Sequence, residues 1–374
     1  MRWDNLKLED SGPELAAPGT LAPATGTSAP ALFERAAVTR TFDTPGFRGI
    51  TFNEIQARSI INRVPAASRM SFNWTINPYR GCSHACVYCF ARNTHTYLDL
   101  DAGLDFNSKI IVKVNAPDLA RKGLAAPRWA GEHIAMGTNV DCYQRAEGKY
   151  RLMPGIISAL RDAANPFSIL TKGTLILRDL DLLCEAAQVT DVGLNVSVGC
   201  VDEELWRLVE PGTPSPGRRL KVCATLNENG LSCGVVMGPV IPFLSDSAAQ
   251  LDATVRQIAE AGASQVAPIV LHLRPGAREW YGAWLREHYP DLVPAYRDLY
   301  RGGSYAPKWY QQRISEQVRD LAQRYGVGRS WTGPARLRTV AARPLAAGPA
   351  GRPSARSAAG RACSSAGPTQ LSML

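Results

Sequence analysis

The sequence lacks any apolar run as long as the 18 or more residues of a membrane span. The longest candidates, such as Gly234 to Leu244, carry prolines and stop early. Its start, MRWDNLKLED, mixes Lys7 with Asp4, Glu9 and Asp10 and has no apolar stretch of the kind a secretory signal needs. A soluble, cytoplasmic chain with no membrane partner is therefore expected. An even cysteine set is also missing: there are nine, which argues against a disulfide framework and for metal or catalytic use of a subset. Outside one cluster, no second C-x2-C pair and no paired histidines occur. The composition, 45% hydrophobic and 20% charged, excludes full disorder and fibrous repeats.

Acidic charge is in short supply. The 42 basic and 33 acidic residues leave +9, unevenly spread. Residues 341–374 hold Arg343, Arg352, Arg356 and Arg361 and no acid, while residues 1–40 carry four basic and five acidic side chains. The middle of the chain keeps a mild basic excess. That suits a nucleic-acid or phosphorylated substrate without demanding one.

Length alone allows two domains or one large α/β barrel with extensions. Residues 11–31 and the stretch after Ala341 are rich in Ala, Pro, Gly, Ser and Thr without apolar period, and cannot offset the entropy of ordering. The expected organisation is a flexible segment 1–38, a core domain 39–275, a helical extension 276–334 and a disordered tail 335–374. Inside the core, β-like runs recur at Phe72–Pro78, Ile134–Val140, Phe167–Thr171, Val192–Val198, Cys233–Ile241 and Gln265–Leu273. Amphipathic segments separate them at Met153–Ala164, Leu177–Ala187, Arg218–Glu228 and Ser247–Ala261. In the last, Leu251, Val255, Ile258 and Ala259 share one helical face, Asp246 or Ser245 offers an N-cap, and Gly262 a stop. Strands alternating with helices read as a parallel sheet of βα units, in a partial barrel or an open doubly wound sheet. Either architecture puts the chemistry at the C-terminal ends of the strands. Gly137-Thr138-Asn139, Thr171-Lys172-Gly173, Ser197 and Pro239 all fall there. The stretch Trp280–Tyr325, rich in Trp and Tyr, is helical in pattern and expected to pack on the barrel.

Three cysteines are not scattered. In NPYRGCSHACVYCFAR, Cys82, Cys86 and Cys89 are spaced C-x3-C-x2-C. A structural zinc wants four ligands, usually in two separated pairs, and His84 would make a cramped fourth. An iron–sulfur cubane takes thiolates, and three of them leave one iron open to a small molecule.

This triplet just after the first strand of a βα series, with aromatic Tyr88 before the third cysteine, resembles the signature of the radical S-adenosylmethionine (radical SAM) superfamily. The likeness extends from about Asn77 to Pro242. It is nearest to the spore-photoproduct-lyase-like (DNA repair photolyase-like) branch, uncharacterised actinobacterial members included. IAMGTNVDCYQRAE (134–147) is similar to that branch's G-T-x-T-D-P-Y-Q-P-x-E motif. ILTKG (169–173), NVSVG (195–199), EPGTPSPGRRL (210–220) and GPVIP (238–242) are similar to its later strand ends and loops. The resemblance implies an α/β fold, a partial (βα)6 TIM-like barrel with a helical C-terminal extension. It implies an enzyme with a 4Fe-4S cluster on Cys82, Cys86 and Cys89 and S-adenosyl-L-methionine on the open iron. One electron, from a donor of the flavodoxin or ferredoxin type, would then cleave the sulfonium and give a 5′-deoxyadenosyl radical that takes hydrogen from a substrate still to be identified.

By the same resemblance, Tyr88 lies against the adenine, and Lys172 and Ser197 contact the SAM carboxylate. Gly137, Thr138 and Asn139 meet its amino group through backbone atoms. Asp141, Tyr143, Gln144 and Glu147 are candidates to touch substrate or to hold residues that do, with plain salt bridges as the alternative. Glu210 and Arg219 would order the loop after the fourth strand, with Arg219 either near SAM or substrate or in a structural ion pair. His84 reads as a surface or loop side chain rather than a ligand. The departures from the branch are Val140, Cys142 and Arg145 where it has Thr, Pro and Pro. Gly137 stands near its cysteine hydrogen donor, and Phe90 replaces the tyrosine after the third cluster cysteine. Cys142, a few residues away, could stand in for the donor, although a lone cysteine more often packs as a small hydrophobe. No catalytic residue can be assigned. The alternatives are a nucleic-acid repair or modification enzyme of the same chemistry, with nucleic acid as substrate, and a non-enzymatic zinc-stabilised binding module.

Overall fold

The computed structural model describes residues 37–65, 70 and 72–328 of the 374. The expected flexible segments lie outside these residues, except Ala37 and Val38, and Val38 opens the first strand. Eleven strands are described: β1 (Val38–Thr41), β2 (Thr51–Ile55), β3 (Ile61–Arg63), β4 (Trp74–Ile76), β5 (Tyr79–Arg80), β6 (Lys109–Lys113), β7 (Ile134–Met136), β8 (Phe167–Thr171), β9 (Val192–Ser197), β10 (Cys233–Val240) and β11 (Val266–Val270). The helices among them are α1 (Leu104–Ser108), α2 (Ala116–Leu124), α3 (Arg145–Tyr150), α4 (Leu152–Asp162), α5 (Leu180–Val189), α6 (Glu203–Val209), α7 (Pro216–Glu228) and α8 (Ala248–Glu260). Then follow α9 (Ala277–His288), α10 (Val293–Leu299) and α11 (Lys308–Tyr325).

The main sheet runs β11-β10-β9-β8-β7-β4-β3. Six of its strands are parallel and β3 closes the edge antiparallel to β4. Each of the six expected runs contains one of these parallel strands, so the sheet is the six-unit βα array anticipated. β10, between β11 and β9, is apolar on both faces, with Cys233 to Met237 all buried, as a parallel strand covered by helices requires. The helices between the strands turn apolar side chains inward, with Ile156, Ile157 and Leu160 of α4, Leu183 of α5 and Leu226 of α7 all buried.

Two local readings need correction. α8 buries Leu251, Val255 and Ile258 as expected, with Gly262 at φ +66° past its end, but its N-cap is Ser247, whose Oγ accepts from Gln250 N at 3.2 Å. Ser245 instead receives Ile241 N at 2.7 Å, and Asp246 receives Arg313 at 3.1 Å. β7 stops at Met136, four residues before Val140, because Gly137 turns the chain at φ +76°.

A second sheet, β1-β2-β6-β5, has no counterpart among the expected runs. β1 is exposed at all four positions and β5 is two residues long, so neither carries a readable period. At the other end of the chain, tyrosine hydroxyls fasten the helical extension to the strand ends. Tyr296 donates to Pro242 O at 2.6 Å and Tyr300 to Leu271 O at 2.6 Å. Ile314 and Val318 of α11 are buried. The extension packs on the barrel as its aromatic content suggested.

Candidate active site

The cluster loop begins where β5 ends. Gly81 turns at φ +76°, and a Cβ there would meet Lys109 O at 2.9 Å, so the loop enters against the backbone of β6. Gln144 then holds the loop from both sides: its Nε2 donates to Gly81 O at 2.9 Å and its Oε1 accepts from Ser83 N at 3.0 Å. From the α6–α7 connection, Gly212 N donates to His84 O at 3.0 Å, and Val87 N donates to Val209 O at 3.0 Å. A Cβ on Gly212 would sit 2.2 Å from Ser83 O, so glycine lets this connection lie directly on the loop.

Held this way, Cys82, Cys86 and Cys89 are free thiols lining one cavity at the C-terminal ends of the parallel strands. Cys82 and Cys86 are buried and Cys89 half-buried. Burial pushes the Cys82 thiol well up, and Asp141 with the neighbouring thiols adds to it. Cys86 is pushed up to about 12 by burial and Glu210, against the pull of Lys172. Burial also raises Cys89, with Arg92 the main opposing charge. Among the described residues, no three His, Cys, Asp or Glu side chains converge on a point as a single metal ion requires. A cubane asks for something different, since each thiolate takes its own iron. Three thiols on one cavity wall fit that donor set and leave a fourth iron open, and a bound metal would itself deprotonate them.

In the same cavity, β8 and β9 bring Lys172 and Ser197 together. Thr171 pairs with Val196, so the next residue on each strand faces the same mouth. Lys172 Nζ donates to Ser197 Oγ at 2.6 Å and to Gly238 O at 3.1 Å, and lies 3.7 Å from Glu210 Oε1. Tyr88 donates its hydroxyl to the same carboxylate oxygen. Arg219 takes the other, at 2.5 Å, and donates to Ser197 O at 2.7 Å. Burial opposes ionisation of Glu210, but Arg219 and Lys172 hold its pKa at about 2. Two cations against one carboxylate leave the lysine end of the cavity net positive, suited to an anionic group.

Tyr88, Gly137, Thr138, Asn139, Lys172 and Ser197 all line this cavity with the three cysteines. Arg219 does not. It is 1% exposed behind the wall, in the ion pair with Glu210. Tyr143, Gln144 and Glu147 serve the scaffold, and Asp141 lines the cavity while its carboxylate is bonded to its walls. Asp141 accepts from Thr171 Oγ1 at 2.7 Å and Lys172 N at 2.7 Å and faces His84 Nδ1 at 3.4 Å. Despite burial, His84 and these donors hold Asp141 at about 2. Tyr143 donates to Asp179 at 2.9 Å, and Glu147 receives Tyr79, Arg178 and two backbone amides. His84 is a loop side chain but not a surface one, being 3% exposed. Cys142 is fully buried, and the cavity is lined by its neighbours Val140 and Asp141 instead. Sequence reasoning missed His272, which follows β11, lines the cavity and meets the Phe90 ring at 5.2 Å, tilted by 51°.

Gly137 is doubly constrained. Beyond its positive φ, a Cβ would fall 1.8 Å from Leu170 O, a backbone atom of β8 that cannot yield. Gly137→Ala is therefore expected to destabilise the chain by about 3 kcal/mol or to prevent folding. An unchanged urea midpoint would show that this loop can move off β8.

Three comparisons bear on this geometry. A family model described as the radical SAM superfamily matches residues 76–255. An uncharacterized protein of Mycobacterium tuberculosis is 48% identical over 292 residues, covering 78% of this chain and 86% of that protein. One from Methanocaldococcus jannaschii is 32% identical over 195 residues, covering 52% of this chain and 69% of its own. Among solved structures, spore photoproduct lyase complexed with dinucleoside spore photoproduct aligns over 83% of this chain and 86% of that one, with a TM-score of 0.54 and 16% identity. A variant of the same lyase with bound AdoMet and dinucleoside spore photoproduct aligns over 70% and 76%, also at TM-score 0.54 and 16% identity. At that identity the likeness is one of fold.

Proposed function

Because this chain belongs to the radical SAM superfamily, we propose that it is an enzyme that binds a 4Fe-4S cluster on Cys82, Cys86 and Cys89 and S-adenosyl-L-methionine beside it. The observation that carries the reading is a single cavity lined by the three free thiols together with the Lys172–Ser197 pair. When bound, the reduced cluster would supply the electron that cleaves the sulfonium and starts hydrogen abstraction from substrate. The protein's own part is positional. Lys172, with its ammonium on Ser197 and Gly238 O, offers a charge-assisted donor for the SAM carboxylate. Tyr88 offers a ring for the adenine, its hydroxyl anchored on Glu210. The backbone of Gly137, Thr138 and Asn139 is available to the amino group. Burial of the strand ends excludes water and confines reactive species. A low-potential electron carrier is the implied partner.

The test is anaerobic reconstitution with iron and sulfide, followed by dithionite and SAM. Formation of 5′-deoxyadenosine is expected, and its absence with the cluster fully loaded would sink the proposal. Lys172→Met should weaken SAM binding roughly tenfold to a hundredfold, the worth of one hydrogen bond to a charged group. Anaerobic calorimetry on the reconstituted enzyme reads this directly. Equal affinities would remove Lys172 from the site.

A further inference from the structure

Arg92 is an unusual arginine. It lies three residues after Cys89, in a short 3-10 turn, and is completely buried. Burying a guanidinium is costly unless an opposite charge sits with it. Yet none of its hydrogen bonds reaches a carboxylate. The Nη1 group donates to Gly103 O at 2.8 Å and Ala102 O at 3.2 Å, and the Nη2 group to Cys86 O at 3.0 Å and Asn107 Oδ1 at 3.1 Å. Its Nε has no partner among the described residues. The guanidinium is held between aromatic faces, 4.6 Å from the Trp280 ring and 5.2 Å from that of Phe106. The groups bonded to it fix its position and carry no charge to set against it, and Asp101, the carboxylate that acts on it, does so through space without a hydrogen bond. A full positive charge is thus built into the floor of the cysteine loop, bonded to the carbonyl of Cys86 itself.

A stronger counter-charge than Asp101 has a natural source in the same loop. Three thiolates bring three negative charges next to this cation, and each electron added to a cluster they hold increases the excess. Resting on the radical SAM reading above, we propose that Arg92 is a positioning residue that raises the reduction potential of the cluster on Cys82, Cys86 and Cys89. The fixed cation favours the reduced, more negative form over the oxidised one. The aromatic clamp and backbone carbonyls keep it in place without cancelling it. Trp280 belongs to α9, so the helical extension takes part in fixing a charge beneath the active site.

The test is a redox titration followed by electron paramagnetic resonance on full-length protein reconstituted to equal iron content. In Arg92→Gln, which keeps donors but loses charge, the reduced-to-oxidised ratio at a fixed potential should fall about tenfold, a shift of about 59 mV for one electron. Arg92→Lys, which keeps charge but loses the fork, should stay within about threefold of wild type. A cluster assembled by Arg92→Lys and not by Arg92→Gln supports the proposal as well, since charge is then the requirement. An unshifted Arg92→Gln overturns it, as does an Arg92→Lys protein that shifts as far as Arg92→Gln. Loss of the cluster from both variants also overturns it, because Arg92 would then only brace the loop. If the wild-type chain itself takes up no cluster, the radical SAM reading fails instead.

Discussion

Cys86→Ala is expected to give a folded protein that holds little iron after reconstitution and forms no detectable 5′-deoxyadenosine. The substitution removes one small sulfur from a loop held by backbone bonds of its neighbours, among them Gln144 to Gly81 and Ser83, and Gly212 to His84. The scaffold should therefore survive while the donor set drops from three thiolates to two. The control is Cys142→Ala. Cys142 is equally a free, buried thiol close in sequence to the site, but the cavity wall is made by its neighbours. Iron content and SAM cleavage should persist in that variant. Measuring iron, sulfide and 5′-deoxyadenosine in both proteins separates ligand from bystander. Equal iron in Cys86→Ala and wild type would end the cluster assignment.

The contrast between these two cysteines shows what sequence could and could not reveal. A C-x3-C-x2-C spacing is a local property, so it is legible before any fold is known. The Lys172–Ser197 pair was legible only in part. Each residue stood at the end of an expected strand, but their contact depends on the Thr171–Val196 register, which no local pattern encodes. The parallel sheet was readable because its strands lie in apolar runs that are spaced by amphipathic helices. The smaller sheet was not, because an exposed β1 and a two-residue β5 leave no period to detect. Arg92 was the least accessible. In the polar run FARNT an arginine reads as solvated, and it is buried because Phe106 and Trp280, 14 and 188 positions along the chain, close over it. His84 follows the same logic, a loop histidine buried by its partner Asp141 from beyond β7.

Glu210→Gln is expected to cost about 3–5 kcal/mol at neutral pH, the penalty for leaving one member of a buried ion pair uncompensated. Arg219 is almost wholly inaccessible, and its carboxylate partner is the 2.5 Å contact with Glu210. A neutral amide cannot balance that guanidinium. The pH dependence follows from the sign of the shift. Burial acts to raise the Glu210 pKa, yet Arg219 and Lys172 prevail and hold it at about 2, below the ordinary 4.5. The unfolded chain therefore takes up this proton first as the medium is acidified. The contribution of Glu210, roughly 3 kcal/mol from such a shift, is complete above about pH 4.5 and is lost as pH falls through about 2. Asp141, also held at about 2 by His84 and Thr171 against its burial, loses its contribution over the same window. Urea midpoints of the wild type should fall steadily between pH 5 and pH 2, and Glu210→Gln should flatten that slope while lowering its upper plateau. Adding Arg219→Met to Glu210→Gln should recover part of the loss, because a buried pair removed whole costs less than a pair broken. If the double variant is no more stable than Glu210→Gln at pH 7, the cost lies in the contacts to Tyr88 and Lys172, and the ion pair does not hold this wall of the cavity.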